Sequence, residues 1–109
     1  MPAPIALIAG GGIGGLTAAL CLAQAGFEVR VFEQSEGFHE IGAGIQLSPN
    51  GTRVLHRLGL EAALRQIAFL PESTEMRDWR DDSAIGTTPP GENLLRHYGF
   101  PYYHVHRAD

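Results

Sequence analysis

Ile5-Ala6-Leu7-Ile8-Ala9-Gly10-Gly11-Gly12-Ile13-Gly14-Gly15 opens the chain, and Phe27-Glu28-Val29-Arg30-Val31-Phe32-Glu33 follows a few turns later. The first five residues form an uninterrupted apolar run closed by glycine, the pattern of a strand buried on both faces as in a parallel sheet. Gly14 to Ala25 is rich in alanine and leucine and reads as a helix, with Leu16, Leu20 and Ala23 offering an inner face. Gly26 stands where a helix ends in a left-handed turn. Residues 27–33 alternate apolar with polar and favour β-formers, so they read as a second strand. Strand, helix and strand together make one β-α-β unit over residues 5–33.

The glycine run contains the spacing G-x-G-x-x-G, filled by Gly10, Gly12 and Gly15. Each position has its own physical role: Gly10 permits the sharp strand-to-helix turn, Gly12 keeps a Cβ away from a pyrophosphate, and Gly15 lets the helix lie close on the strands. The N-terminus of such a helix, at Ile13 and Gly14, offers unpaired N–H groups and partial positive charge to phosphates. With 14 glycines in 109 residues a chance match is easy, and an ordinary glycine turn is the plain alternative. The context raises the motif above it, because Glu33 follows Gly10 by 23 residues at the tip of the second strand. A carboxylate there accepts both ribose hydroxyl protons of an adenine dinucleotide. It also repels a 2′-phosphate, which excludes NADP from this site and leaves FAD and NAD both open. The fold class is therefore α/β, a Rossmann-like βαβ dinucleotide-binding domain.

Beyond Glu33, residues 34–47 look like a loop, with glycines at 37, 42 and 44. Ser48-Pro49 is a helix start, with serine at the N-cap and proline in the first position, and that helix carries Val54, Leu55 and Leu58 to an end at Gly59. Glu61 to Ile67 is a second short helix. Segments 73–80 and 84–88 flank Asp81-Asp82-Ser83 as a hairpin, Pro89-Pro90-Gly91 turns the chain, and Tyr102 to His106 is a further strand. Because the chain stops just after an apparent strand, it is expected to be a fragment.

Composition narrows the function classes. Apolar residues are 44% and charged residues 18% of the chain, a globular balance. The net charge of −4 gives no basic surface for nucleic acid. No run approaches the roughly 20 apolar residues that cross a bilayer, and the N-terminus lacks a secretory pattern. A single cysteine, Cys21, fits a reducing compartment, so a cytoplasmic protein without membrane association is expected. Cys21 reads as a small buried apolar residue and Met76 and Trp79 as packing residues. Asp78, Asp81 and Asp82 read as turn residues. His97, His104 and His106 have no cysteine or carboxylate at ligand spacing, so no metal is expected.

Gly42-Ala43-Gly44-Ile45-Gln46-Leu47-Ser48-Pro49-Asn50 and the closing Tyr103-His104-Val105-His106-Arg107-Ala108-Asp109, taken with the glycine motif, resemble the FAD-dependent aromatic hydroxylases. These are single-component flavoprotein monooxygenases. The likeness is greatest to the branch of 6-hydroxynicotinate 3-monooxygenase, 3-hydroxybenzoate 6-hydroxylase and the salicylate hydroxylases, and it runs from Ile5 to Asp109. The resemblance implies an N-terminal part of the FAD-binding domain of a larger, two-domain flavoprotein. It divides into the βαβ unit 5–33, a flavin-adjacent loop and helices 34–67, the hairpin 73–88 and a strand 102–107 leading to a cofactor arginine. It implies Gly14 at the pyrophosphate, Glu33 at the ribose and Gln34 near the adenosine. Gln46 is the position approaching the flavin ring or substrate, and thus the candidate catalytic residue. Many 6-hydroxynicotinate enzymes carry histidine there, so Gln46 speaks against that substrate. A loop polar residue is the plain alternative for Gln46.

Arg107 corresponds to the arginine that contacts the cofactor, where a guanidinium fork suits phosphate oxygens or negative charge on a reduced flavin; a solvated arginine is its alternative. The implied activity is insertion of one oxygen atom of O2 into a small aromatic acid or phenol, with NADH or NADPH as electron donor. On its own the 109-residue chain is expected to be inactive. A non-hydroxylating flavin oxidoreductase and an isolated nucleotide-binding module stay open as alternatives.

Overall fold

The computed structural model describes residues 1–37, 43–88 and 91–109. Two compact units divide the chain, Met1–His39 and Glu40–Asp109.

In the first unit, β1 (Ile5–Ala9), α1 (Ile13–Gln24) and β2 (Glu28–Phe32) follow in order. β1 and β2 pair in parallel, Ile5 opposite Glu28 through Ala9 opposite Phe32, so α1 is the crossover between them. The helix closes with paired hydrogen bonds, Phe27 N–H to the Leu22 carbonyl at 3.1 Å and Gly26 N–H to that of Ala23 at 3.0 Å. This satisfies carbonyls that the end of a helix otherwise leaves bare.

Burial in this unit differs from the sequence reading. β1 is not enclosed on both faces: Ala6 and Ile8 are half-buried while Ile5 and Leu7 are exposed. Two strands and one helix can cover only the side on which the helix lies. The inward stripe of α1 is also not Leu16, Leu20 and Ala23, which are exposed, but the i, i+4, i+7 set Gly15, Ala19 and Leu22. The close approach at Gly15 fixes the rotation of the helix and turns Leu16 and Leu20 outward. Cys21 is exposed for the same reason and is not a core residue.

The second unit contains β3 (Gly44–Leu47), α2 (Pro49–Arg57), α3 (Glu61–Ile67), β4 (Thr74–Arg77), β5 (Ala84–Thr88), α4 (Gly91–Tyr98) and β6 (Tyr103–His106). Residues 44–47, loop-like in sequence, form a strand because β6 supplies its partner: Gly44 opposes His106, Ile45 Val105, Gln46 His104, and Leu47 Tyr103. The two faces of this pair differ. Tyr103 and Val105 are buried with Leu64, and Ile45, Leu47, Leu55, Leu60 and Ala68 pack on them. Gln46, His104 and His106 occupy the other face, as the period-2 alternation requires.

Ser48 sits at the N-cap of α2, but its hydroxyl donates to Asn50 Oδ1 and caps no backbone N–H. Thr52, fully buried, donates its hydroxyl to the Pro101 carbonyl at 2.7 Å and ties α2 to the start of β6. α4 has no counterpart among the elements expected from the sequence. Pro89 and Pro90 of the expected turn lie outside the described residues, and Gly91 begins the helix. β4 and β5 form an antiparallel hairpin around a turn in which Asp82 has φ 58°. Met76 and Trp79 do not pack there: Met76 is 66% exposed, as every strand residue of this pair faces solvent, and Trp79 is 91% exposed in the connecting turn.

Candidate functional site

The glycine turn is built by backbone geometry. Gly10 has φ +104°, which a side chain rarely tolerates, and its N–H donates to the Phe32 carbonyl at 2.7 Å. The chain is thus tied to the tip of β2 before it reverses into α1. At Gly15 a Cβ would overlap the Gly10 carbonyl oxygen and meet Ile8 Cγ2 at 3.5 Å. A Cβ at Gly12 or Gly14 would meet nothing within 4 Å, so the space before the helix start is open. α1 receives no side-chain cap, and its first internal bond is Leu16 N–H to the Gly12 carbonyl at 2.9 Å. The N–H groups of Ile13, Gly14 and Gly15 therefore have no partner within the helix. Open space, unpaired donors and a helix dipole make a cradle that fits a diphosphate.

Glu33 turns toward this cradle. Its Oε2 accepts the Gly11 N–H at 2.7 Å and its Oε1 the Ser35 N–H at 3.1 Å. Hydrogen bonds from Ser35 and then Gly11 hold the carboxyl below its usual range, against a smaller opposing effect of desolvation. An ionised carboxylate has about four acceptor positions. The two left over are available to a vicinal diol. Gln34 follows in an exposed bend. Gly11, buried beneath the carboxylate, belongs to this arrangement although the G-x-G-x-x-G pattern treats its position as free. A Cβ there would stand 3.2 Å from Glu33 Cβ and Oε2. The signal for it is the middle glycine of the Gly10-Gly11-Gly12 run, which the spacing rule does not require.

The second unit carries the other expected positions. Gly42, the first residue of the segment expected near a flavin, lies outside the described residues. Gln46 is exposed in β3 and borders a cleft of about 200 Å³ with Ser73, Thr74, Thr88 and Tyr102. Arg107 is exposed just after β6, and its N–H donates to the Ala43 carbonyl at 2.9 Å, prolonging the β3–β6 ladder by one bond. A larger, open groove of about 490 Å³ beside α4 is lined by Asn93, Leu94, Arg96, His97 and Tyr98, all from that one helix. It gathers no chemistry from elsewhere. On the buried side of β6, which no sequence motif marks, His56 Nε2 lies 3.3 Å from the Tyr103 hydroxyl. Among the described residues, no group of three or more His, Cys, Asp or Glu could hold a metal, and no helix is long and apolar enough to cross a membrane.

Residues 4–96 match the family model described as FAD binding domain. The chain is 47% identical over 106 residues to a 3-amino-4-hydroxybenzoate 2-monooxygenase of Streptomyces platensis, covering 97% of this chain and 27% of that protein. It is 46% identical to the 3-hydroxybenzoate 6-hydroxylase of Polaromonas naphthalenivorans, covering 94% and 26%. Klebsiella pneumoniae HpxO, solved in complex with FAD and uric acid, superposes with a TM-score of 0.81 at 28% identity, covering 96% of this chain and 26% of that one. The chain thus spans about a quarter of the length of the relatives it matches. With the family model matched over most of its length, and relatives named as aromatic hydroxylases and monooxygenases, the chain belongs to the FAD binding domain family.

Proposed function

We propose that this chain grips the adenosine diphosphate half of FAD and serves an enzyme that hydroxylates a small aromatic acid or phenol. The observation that carries the reading is the Glu33 carboxylate, drawn to the glycine turn by the Gly11 N–H. In it, Gly10 turns the backbone, Gly12 and Gly14 leave room for the pyrophosphate, and Gly15 brings α1 against β1. The N–H groups of Ile13 and Gly14 bond phosphate oxygens. Glu33 accepts the ribose hydroxyls on its two remaining acceptor positions, and Gln34 lies along the adenosine. Arg107 offers its guanidinium to the cofactor, where a planar fork of donors matches phosphate oxygens or ring charge better than an ammonium. Gln46 faces the flavin ring or the substrate. Its carboxamide both donates and accepts, so it can orient a ring hydroxyl or carboxylate without itself titrating.

FAD, when bound, supplies the electron transfer and oxygen activation that no side chain here provides. The balanced reaction takes an aromatic C–H, O2, NADH or NADPH and one proton to the aromatic C–OH, water and oxidised nicotinamide. The nicotinamide donor and the single exposed cysteine accord with work in the cytoplasm. The test supplies the flavin-loaded enzyme that carries this chain with NADH or NADPH and a panel of hydroxylated benzoates and phenols, reading nucleotide oxidation and product mass together. A product heavier by one oxygen is expected. Stimulated nucleotide oxidation with no hydroxylated product from any member would remove the hydroxylase reading and leave a non-hydroxylating flavin oxidoreductase.

A further inference from the structure

His104 has no part in the cofactor contacts proposed above, yet its surroundings are unusual for a strand histidine. Its backbone is fully engaged, since its N–H donates to the Phe69 carbonyl and its carbonyl accepts the Phe69 N–H, both at 2.8 Å. Its ring meets Tyr102 edge-to-face with centroids 5.4 Å apart. Its Nε2 is buried and has no hydrogen-bond partner among the described residues. Burying an unpaired ring nitrogen is costly, whereas an aromatic hydrocarbon of similar size would pack against Tyr102 without that cost.

The register places His104 directly opposite Gln46 in the β3–β6 pair. Directly opposed residues project from the same face, with Cβ atoms roughly 4.5–5.5 Å apart. Gln46 and Tyr102 both border the cleft of about 200 Å³, whose other polar edge is Ser73, Thr74 and Thr88. That volume is below the ~300–1,000 Å³ of pockets for drug-sized ligands and suits a single substituted ring. A carboxamide beside such a ring presents either its oxygen or its NH2 group, and something must decide which.

We propose that His104 is a positioning residue for Gln46. When an aromatic ligand enters the cleft, Gln46 turns its Oε1 onto the His104 Nε2–H, which has no partner among the described residues, and its amide NH2 then faces the carboxylate or ring oxygen of the ligand. The carboxylate of an aromatic acid only accepts, so the amide must offer it its donor side. The inference rests on the reading of Gln46 as the substrate-facing residue.

The test uses the flavin-loaded enzyme with an aromatic acid that it turns over. Steady-state kinetics are measured alongside the ligand dissociation constant, read from the change in flavin absorbance. His104→Phe should raise KM and the dissociation constant about tenfold, with kcat changed by less than about twofold. His104→Gln, whose amide reaches the position of Nε2, should return both to within about threefold of the wild type. In a Gln46→Ala background His104→Phe should add less than about twofold, because the two residues act as one unit. A wild-type KM for His104→Phe, or a full further loss in the Gln46→Ala background, overturns the proposal. If His104→Phe fails to load flavin, His104→Asn, polar but too short to reach, carries the same expectation and the same refutation. A wild-type enzyme that hydroxylates nothing defeats the proposed reaction, whereas normal turnover with an unshifted His104 variant defeats this inference alone.

Discussion

The two units of this chain hold their shape by different means. Among the described residues of Met1–His39 only Gly11 is buried, and order comes from a parallel strand pair, the glycine turn and the hydrogen bonds that Glu33 receives. In Glu40–Asp109 a small core of Tyr103, Val105 and Leu64 does that work, together with the buried bond from Thr52 to the Pro101 carbonyl. Glycines can build a precise cradle with almost no apolar burial, because the constraint is steric and local. An antiparallel strand pair joined across some sixty residues needs a core, because only burial offsets the cost of bringing distant segments together. The first unit should therefore break at its backbone and the second at its side chains.

The largest effect is expected in the second unit. Tyr103→Ala removes its largest fully buried side chain and should cost about 3–5 kcal/mol, the range for an aromatic ring lost from a core. Hydrogen exchange should show it as lost protection across Ile45–Leu47 and Val105, with the amides of β1 and β2 unchanged. Equal loss in β1 and β2 would mean that the units do not fold by separate means. Next comes Gly15→Ala, a single added methyl in the first unit. The new Cβ meets the Gly10 carbonyl oxygen, a backbone atom that cannot rotate away, so about 1–3 kcal/mol of stability should go, and FAD affinity with it. Gly14→Ala is the contrast. It meets nothing and replaces glycine in a helix, so it should stabilise the flavin-free protein by about 0.5–1 kcal/mol while weakening FAD.

Glu33 tests the same cradle by charge. Glu33→Ala should weaken FAD binding roughly ten- to hundredfold by calorimetry, through loss of charge-assisted hydrogen bonds to ribose. The acid side gives a finer check. N–H donors from Ser35 and Gly11 favour the ionised carboxylate, so its folded value lies below its usual one. The stabilisation is then complete above the usual glutamate range and is lost as pH falls through the depressed folded value. A carboxyl carbon-13 titration should place Glu33 below the usual glutamate range, and Glu33→Gln should lack the corresponding acid step in nucleotide binding. A Glu33 that titrates in the usual glutamate range would mean that the Gly11 and Ser35 bonds do not persist in solution.

The same division governs how much can be read from the sequence. The glycine turn and Glu33 are legible because their partners lie within one β-α-β unit of about 30 residues, where spacing stands in for geometry. Rotation of α1 is not, since Gly15 and Ala19 carry no hydrophobic signal and the conspicuous Leu16 and Leu20 point outward. β3 looks like a loop because its neighbouring glycines and its four residues hide a strand whose partner, β6, comes only at Tyr103. α4 does carry a signal, with Glu92 in its first turn, Arg96 and His97 in its last and Gly99 beyond at φ +76°. It is masked by the proline pair before it. Gln46, Arg107 and His104 share one ladder, and nothing in their spacing says so. Function comes through the family resemblance, whereas the cleft beside Gln46 depends on that ladder and on segments more than twenty residues away.

The smallest effect belongs to the hairpin of β4 and β5, which has neither a glycine cradle nor a core. Its cross-links are surface ones: Arg77 bonds Glu75 Oε2 at 2.9 Å, the Asp82 carbonyl at 2.9 Å and Asp82 Oδ2 at 3.1 Å. Exposed ion pairs contribute a median of about 0–1 kcal/mol and are screened by salt. Arg77→Gln should therefore shift overall stability by less than about 1 kcal/mol, and the difference from wild type should disappear at high ionic strength. Asp82→Asn should do less still. Asparagine tolerates the same left-handed backbone, and only a pair in which Asp82 is 80% exposed is lost. An effect of Arg77→Gln that exceeds this range and survives salt would mean that the hairpin is buried in the working protein, with Met76, Trp79 and Ile85 forming part of an interface rather than a free surface.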